Sequence, residues 1–332
     1  MVDGAPRLSL LLIAYNQAGT IADAIAGALS QDYANLEIIL SDDASSDETW
    51  QLIQQAVSDY RGPHRIVLNR NPSNLGIGAH LDRVARLSSG ELLLVAAGDD
   101  VSLPQRASLC AAAWVAAECR PDLIAGSLIA MDADGSRQES ISPDQLATYR
   151  NAADWLARPP LVIGAAQAWT RRLFDRHGGL PSGVVYEDLV MVFRAIVGGG
   201  AITLEQPLVR YRRGGYSAKQ ASLSAADVAR RLLRGARGAL VEIPLLLQAA
   251  QLAGQEAAVA SAFAAKLRRE GFIYDMLTAS SQAQRLRLFI SAPGVPLAVR
   301  LRLLAYAAFP WVLAPWFAAK RWRARRKAAK VH

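Results

Sequence analysis

The stretch that decides the fold is EIILSDDASSD, residues 37–47. Its apolar run, Glu37 to Leu40, is typical of a buried strand, and a helical pattern from Asp47 to Tyr60 follows directly. A strand that leads into a helix through a short acidic loop is the building unit of an open α/β sheet. Such sheets bind ligands at the carboxyl ends of their strands, so Asp42 and Asp43 are expected to face a ligand.

The same alternation continues on both sides of this stretch. Apolar runs predict strands, and apolar residues at helical spacing predict helices; the strands are at 8–14, 65–68, 92–96 and 123–131, and the helices at 20–30, 78–87 and 106–117. The order predicts an α/β fold with a mostly parallel, doubly wound sheet and right-handed crossovers. A hairpin-type turn is expected at Asp132–Gly135.

Beyond residue 216 the chain becomes rich in alanine, leucine and arginine, with helices expected at 225–241 and 245–277. A boundary near residues 215–225 therefore divides the chain into a catalytic domain, 1–217, and a helical C-terminal region, 218–332.

Two further acidic pairs occur in a fixed order after the first. Asp99-Asp100 follows the apolar run Leu92–Ala97, and Glu187-Asp188 opens a helical stretch. A carboxylate can accept a hydrogen bond from a nucleobase N–H, hold a divalent cation beside phosphates, or remove a proton from an acceptor hydroxyl. Turn formation and helix capping explain each pair equally well, but the three together in this strand context favour one nucleotide, metal and base cleft.

Several motifs carry a resemblance to the family 2 inverting glycosyltransferases of the GT-A (nucleotide-diphospho-sugar transferase) fold, of the bacterial O-antigen and exopolysaccharide type. The resemblance covers residues 8 to about 217, and its matching pieces are Ile13–Asn16, Glu37–Asp47, Asn74–Gly76, Gly90–Leu92, Gly98–Asp100 with Pro104, and Glu187-Asp188.

The resemblance implies a role for most of these residues. It assigns donor-nucleotide binding to Ala14, Tyr15, Asn16, Asp42, Asp43, Asn74, Gly76 and Gly98. It also implies that Asp99, with Asp100 through water, binds Mn²⁺ or Mg²⁺ on the diphosphate, and that Asp188 is the catalytic base.

This sequence departs from the family pattern at a few positions. Ala97 replaces an acid that often precedes Asp99, and the Arg-Asn that often follows the Asn-x-Gly segment is replaced by His80-Leu81. His80 either contacts phosphate or sugar, or packs. A late histidine that serves as a metal ligand in some relatives is absent from 211–215, where Arg212 or Arg213 could bind the diphosphate instead.

Three predictions concern the acceptor. Trp169 either stacks on a sugar ring or belongs to the core, and Glu187 is assigned to the acceptor or sugar. The Gln-x-x-Arg-Trp signature of processive synthases is absent, so a single sugar addition to each acceptor is expected.

The net charge of +8 is concentrated at the C-terminus: seven basic and no acidic residues lie in 318–332, which leaves +1 for the rest. No nucleic-acid partner is therefore expected. An apolar, aromatic stretch, 303–319, precedes this tail. It predicts peripheral attachment to an anionic membrane surface; a packed helix with a solvated tail is the alternative.

Two further features of the sequence predict the cellular compartment of the protein. The two cysteines, expected on one helix and too far apart to bond, indicate a reducing compartment. The N-terminus lacks a signal-peptide pattern, so a cytoplasmic protein on the inner face of the membrane is expected. A polyprenyl-pyrophosphate-linked glycan acceptor, as the resemblance suggests, would suit this location.

The leading hypothesis is an inverting, metal-dependent, non-processive glycosyltransferase (hexosyl- or deoxyhexosyl-transferase class) in cell-surface polysaccharide synthesis. The alternative is a catalytically degenerate sugar-nucleotide-binding subunit of a membrane assembly complex, which Ala97 and the missing histidine motivate. A sugar-nucleotide pyrophosphorylase is disfavoured because residues 15–20 lack the basic residue that its phosphate loop needs.

Overall fold

The structure, a computed structural model, describes residues 5–132, 138–213 and 224–328. The chain divides into two compact units: unit 1 comprises residues 1–218 and 248–259, and unit 2 comprises 219–247 and 260–332. Most of the predicted turn at Asp132–Gly135, and most of the predicted boundary region at 215–225, lie outside the described residues. The functions expected for the two predicted domains stay predictions.

The described chain contains nine strands and twelve α-helices. The strands are β1 (Leu8–Ala14), β2 (Leu36–Asp42), β3 (Arg65–Arg70), β4 (Leu92–Ala97), β5 (Val101–Ser102), β6 (Leu123–Met131), β7 (Gln138–Ile141), β8 (Gln167–Thr170) and β9 (Ala201–Arg212). The helices are α1 (Ile21–Leu29), α2 (Thr49–Ser58), α3 (Ile77–Leu87), α4 (Arg106–Ala116), α5 (Ala152–Ala157), α6 (Arg171–Arg176), α7 (Glu187–Val197), α8 (Ala225–Leu252), α9 (Glu256–Thr278), α10 (Gln282–Ile290), α11 (Leu297–Ala308) and α12 (Ala314–Ala328).

All nine strands join one sheet in the order β3-β2-β1-β4-β8-β6-β9-β5, with β7 paired to β6. The first four strands in this order are parallel, and β8 is antiparallel to both of its neighbours. The predicted α/β sheet with helical crossovers is therefore confirmed, and antiparallel pairs occur on the β8 side.

Helices cover both faces of the sheet, and its central strands β1 and β4 are apolar at every position except Ser9. Leu10 and Leu12 of β1 pack in the same cluster as Ile25 of α1, whereas Leu11 packs with Val84 of α3. Alternate residues of a strand point to opposite faces, so a strand between two helical layers needs apolar residues throughout. The strand β1 ends where this burial ends: Ala14 is buried, and the exposed Tyr15 begins the loop that follows.

Three predicted helix details are wrong. Helix α8 continues through Pro244 to Leu252 instead of breaking near 241–245, and Gly254, with a φ of +67°, follows its end. Helix α2 begins at Thr49, so Asp47 lies outside it, although its Oδ1 accepts a bond of 3.0 Å from the Thr49 N–H. Helix α4 ends at Ala116, before Cys119.

Unit 2 has its own apolar core. One cluster includes Phe272, Met276 and Leu303, and another joins Phe317 of α12 to Val228 of α8. Among the described residues, no single helix is long and apolar enough to cross a membrane. The pair Leu297–Ala308 and Pro310–Lys320 meets the length and composition criteria only together and is bent by 103°.

Candidate active site

The strand order places a topological switch point between β1 and β4. After β1 the chain adds β2 and then β3 on one side, and it returns to add β4 on the other side of β1. Parallel strands end at the same edge, so the loops after β1, β2 and β4 meet there. Open α/β sheets bind ligands in the crevice at such a point.

Hydrogen bonds join these three loops. The backbone N–H of Asn16 donates to Ser45 Oγ (2.9 Å), and Asn16 Oδ1 accepts from the Ser46 N–H (2.9 Å). Thr20 Oγ1 donates to the Gly98 carbonyl (2.9 Å). An added Cβ at Gly98 would lie 2.9 Å from the Ala14 Cβ, so only glycine allows this close packing. The Tyr15 ring, at 47% exposure, is left free to meet a ligand at this edge.

Asp42 and Asp43 differ in how fully their carboxylates are used. Asp43 accepts hydrogen bonds from the Asn71 side chain and from the Leu75 and Gly76 N–H groups (2.8–3.0 Å), so it fixes the 71–76 loop. Asp42 accepts from the Ser45 N–H and from Arg70 through Oδ2 alone. Its Oδ1 is buried and has no hydrogen-bond partner in the described structure.

A buried carboxylate oxygen without a donor is rare, because the unmet hydrogen bond costs on the order of 1–3 kcal/mol. Both residues were predicted to bind the nucleotide. Asp42 keeps one carboxylate oxygen that can accept a further hydrogen bond, whereas the hydrogen bonds of Asp43 hold the 71–76 loop. The exposed Asn74 Oδ1 accepts from the Gly76 N–H (3.1 Å), which keeps the 74–76 turn in shape.

His80 lies inside the protein, with 2% of its surface exposed. Its Nε2 is 2.6 Å from Ser41 Oγ, and its Nδ1 is 4.0 Å from Asp43 Oδ2. Burial lowers the pKa of His80, and the charges of Asp43 and then Asp42 partly oppose that change. The structure therefore shows His80 packed inside the protein, which is one of its two predicted roles. Contact of His80 with a sugar or phosphate stays a prediction.

Asp99 and Asp100 form a crowded acidic turn after β4. Burial, followed by the charge of Asp99, raises the pKa of Asp100 to about 8. Burial also raises the pKa of Asp99, which the charge of Arg212 and a hydrogen bond from Gln17 partly offset. Arg212 reaches both residues: its N–H donates to Asp100 Oδ1 (2.8 Å), and its Nε donates to the Asp99 carbonyl (3.3 Å).

Asp188 lies in the first turn of α7 and is half-buried. Its Oδ1 accepts from the Leu189 N–H (2.8 Å), and its backbone carbonyl lies 3.4 Å from Gln167 Nε2. An added Cβ at Gly164 would be 3.3 Å from the Asp188 Cβ and 3.1 Å from Glu187 Oε1. The segment before β8 therefore lies against both predicted acids, of which Glu187 is buried.

Tyr211 of β9 links the last two acidic clusters. Burial raises the pKa of its hydroxyl, and the charges of Asp100, Asp99 and Asp188 raise it further. All three aspartates therefore lie close enough to act on one phenol. Sequence reasoning did not single out Tyr211; the strand alternation that places it between Arg210 and Arg212 was its only signal.

Two predicted site residues lie elsewhere. Trp169 is fully buried on β8 and donates through Nε1 to Gln167 Oε1 (2.8 Å), so the prediction that it stacks on a sugar is wrong. Arg213 pairs with Glu139 and, at 3.5 Å, with Asp132. Arg212 also forms an ion pair, with Asp23 at 3.3 Å, but it bonds the Asp99-Asp100 turn as well and is the better diphosphate candidate.

Arg106 is a second residue that the sequence did not reveal. Its guanidinium is 1% exposed and donates to Ser102 Oγ (3.0 Å), to the Val95 carbonyl (2.6 Å) and to the Gln167 carbonyl (3.1 Å). One side chain thus connects β4, β5 and β8 around the Asp99-Asp100 turn. An arginine at the start of an apolar helix was its sequence signal.

The residues at this turn fit a divalent cation shared with a ligand. No group of three or more His, Cys, Asp or Glu side chains that could hold a metal is found in the described ranges. A cation that bridges a diphosphate needs only one or two carboxylates, because phosphate oxygens and waters complete its shell. Two adjacent carboxylates whose proximity raises the pKa of Asp100 are the kind of donor set that a cation stabilises.

The fold and this edge define an open α/β protein with a ligand crevice at a topological switch point. Residues 9–151 match the family model described as Glycosyl transferase family 2. The predicted family resemblance is thereby confirmed.

The matches to curated relatives cover only part of each relative's length. EpsE of Bacillus subtilis (strain 168) is 35% identical over 105 residues, which cover 32% of this chain and 37% of EpsE. UDP-Glc:alpha-D-GlcNAc-diphosphoundecaprenol beta-1,3-glucosyltransferase WfaP of Escherichia coli is 31% identical over 93 residues, or 28% of this chain and 35% of WfaP. The chain thus spans just over a third of the length of these relatives.

Solved structures extend the likeness in fold. TarS 1–349 of S. aureus, crystallised in complex with UDP-GlcNAc, superimposes with a TM-score of 0.55 at 17% identity and covers 91% of this chain and 87% of that one. The mannosyltransferase PcManGT of Pyrobaculum calidifontis, solved with GDP-Man and Mn²⁺, gives a TM-score of 0.50 at 19% identity, with 91% and 86% covered. The predicted GT-A fold is confirmed.

Proposed function

We propose that this protein is an inverting, non-processive glycosyltransferase that moves a hexosyl or deoxyhexosyl group from a nucleoside-diphosphate sugar to a hydroxyl of a lipid-linked glycan. The reaction would serve cell-surface polysaccharide synthesis. The observation that carries the proposal is the meeting of the loops after β1, β2 and β4 at the switch-point edge, where the Arg212 N–H of β9 donates to Asp100. The family-model match and the names of the curated relatives support it.

The nucleoside would bind beside the loop after β1. The buried Asp42 Oδ1, which has no partner in the described structure, can accept one N–H from a uracil, thymine or guanine ring. The exposed Tyr15 ring can stack on that base. Asn16 holds the loop after β1 against the loop after β2 through its hydrogen bonds with Ser45 and Ser46.

The diphosphate would lie against the Asp99-Asp100 turn. Asp99 would hold Mn²⁺ or Mg²⁺ there, and the ion would neutralise phosphate charge as the leaving group departs. Arg212 supplies a fixed positive charge at the same place, because its backbone N–H and Nε are held by the two aspartates. The PcManGT structure, which contains Mn²⁺, supports the choice of metal.

Asp188 would act as the general base. Its carboxylate takes the proton of the acceptor hydroxyl, the hydroxyl oxygen forms a bond to the anomeric carbon, and the bond to the diphosphate oxygen breaks on the opposite side. One in-line displacement inverts the configuration at that carbon. Gly164 and Gln167 lie against the start of α7, which carries this base.

The acceptor would be met at a membrane. The name of WfaP specifies a diphosphoundecaprenol-linked acceptor, and the apolar and basic C-terminal residues favour attachment to an anionic cytoplasmic leaflet.

A panel of UDP-, dTDP- and GDP-sugars, with and without Mn²⁺ or Mg²⁺, tests the proposal through thermal shifts and release of nucleoside diphosphate. We expect one nucleotide class to stabilise the protein in a metal-dependent way and to be slowly hydrolysed. The Asp99→Asn variant should lose the metal dependence, whereas the exposed Asp59→Asn control should keep it. Binding without turnover, even with a lipid-linked acceptor, would instead support the degenerate sugar-nucleotide-binding subunit.

A further inference from the structure

The tryptophans of the two units have opposite environments. In unit 1, Trp114, Trp155 and Trp169 are at most 6% exposed, and Trp50 packs against the core. In unit 2, Trp311, Trp316 and Trp322 are 71%, 56% and 53% exposed. Solvent exposure of three such rings is costly unless another surface covers them, because each carries a large apolar area.

Two of these rings lie where α11 meets α12. Residues 309–316, which we call the aromatic bend, include Phe309, Trp311, Val312 and Trp316, each 45–71% exposed. The helix axes on its two sides differ in direction by 103°. The bend therefore presents four large apolar side chains to solvent.

The opposite side of this region is already packed. Phe317, next to Trp316, is 2% exposed and contacts the cluster of Ala225 and Val228, and Leu303 of α11 is fully buried in the larger core of unit 2. The exposed rings cannot turn inward while Phe317 and Leu303 stay in these cores. The outward apolar face is therefore a fixed feature of folded unit 2.

Charge indicates what covers it. Residues 276–332 contain eleven basic and no acidic side chains, so the remaining chain, which holds 26 basic and 29 acidic residues, carries a net charge of −3. Lys320 borders the bend directly, with its Nζ 5.4 Å from the Trp316 ring centre. Tryptophan beside lysine and arginine is typical of protein segments at the boundary between lipid headgroups and acyl chains.

We infer that the aromatic bend inserts into one leaflet of an anionic lipid bilayer, while Phe317 and Leu303 keep α12 and α11 attached to unit 2. The chain then lies on the membrane and does not cross it. This inference deepens the proposed function, on which it rests for the lipid-linked acceptor, by naming the residues that enter the membrane and those that keep the chain on its surface.

Vesicle sedimentation with the full chain tests the inference. We expect binding to vesicles of equimolar phosphatidylcholine and phosphatidylglycerol, weaker binding to phosphatidylcholine alone, and a decrease with salt. The double variant Trp311→Ser/Trp316→Ser should lose roughly tenfold or more in partitioning, since two large rings no longer leave water. The control Leu252→Ser, at a 61% exposed leucine of unit 1, should bind like the parent.

Tryptophan fluorescence locates the inserted rings. Lipids brominated on the acyl chains should quench the parent protein, and quenching should fall in the double variant Trp311→Phe/Trp316→Phe. Equal vesicle binding by the Trp→Ser variant and the parent would overturn the inference. Binding to DNA or to an acidic protein with no binding to the anionic vesicles would also overturn it.

Donor turnover separates this inference from the proposed function. The Trp311→Ser/Trp316→Ser variant should hydrolyse a nucleotide sugar in solution at the parent rate, because no residue of the candidate site is changed. If the parent binds vesicles through the bend but consumes no donor, the membrane inference stands and the proposed activity fails.

Discussion

At the scale of single residues, the candidate site depends on a few buried polar side chains. Arg106 is the clearest case, because its hydrogen bonds reach a β4 carbonyl, a β5 hydroxyl and a β8 carbonyl around Asp99 and Asp100. An apolar core would leave these acceptors without donors, which costs on the order of 1–3 kcal/mol for each. The arginine therefore stabilises the turn that is proposed to face the diphosphate.

Replacing Arg106 with Met should lower the free energy of unfolding by roughly 2–4 kcal/mol, because three buried acceptors lose their donor. Urea denaturation measures the change. The exposed Arg83→Met variant, on α3, is the matched control and should change little. Equal stability of the two variants would show that Arg106 does not hold the turn.

Replacing Gly164 with Val should lower kcat roughly tenfold to a hundredfold, since the added atoms would push against Glu187 and Asp188 and displace the base. Steady-state kinetics with the donor identified by the panel measure the loss, and donor affinity should stay close to that of the parent. A control Gly235→Ala change, at a position with open space around it, should leave kcat unaltered. An unaltered kcat in Gly164→Val would contradict the placement of the base.

At the scale of secondary structure elements, the sequence predicted β1, β2, β3, β4 and β6 but not β5, β7, β8 or β9, and it predicted the side-chain environments poorly. The runs at 8–14 and 123–131 became β1 and β6 with the predicted bounds, because continuous apolar runs are needed between two helical layers. Trp169 and His80 could not be placed, because a pattern gives the face of an element but not what packs on it. Both proved to be buried, on β8 and α3.

Helices α6 and α7 bring the buried His177, which follows α6, close to Arg194 of α7. Burial, followed by the charges of Arg194 and Arg176, lowers the pKa of His177 to about 4. Neither ring nitrogen has a hydrogen-bond partner in the described structure. The unfolded chain, with an ordinary histidine pKa near 6.5, binds the proton more readily than the folded protein.

The stabilising effect of a neutral His177 is therefore present above about pH 6.5 and is lost as the pH falls toward about 4. The His177→Leu variant should show a smaller decrease in the free energy of unfolding between these pH values. Denaturant titrations at a series of pH values measure it. Parallel pH curves for the variant and the parent would show that His177 is accessible to protons in the folded state.

At the scale of the whole molecule, charge and apolar surface are segregated along the chain. The sequence alone predicted the basic tail, because seven of its charges are contiguous with an aromatic stretch. It could not predict that Phe317 is buried while its neighbour Trp316 is exposed, since that difference depends on how α12 packs on α8. The predicted division of labour between the two parts remains to be tested.

The central claim is that Asp188 removes the acceptor proton while the loops after β1, β2 and β4 bind the donor. Its most direct test compares the parent with Asp188→Asn, in donor binding and in sugar transfer to a lipid-linked acceptor. We predict equal thermal stabilisation of both proteins by the donor and its metal, with transfer lowered at least roughly a hundredfold in the variant. Near-normal transfer by Asp188→Asn would contradict the account.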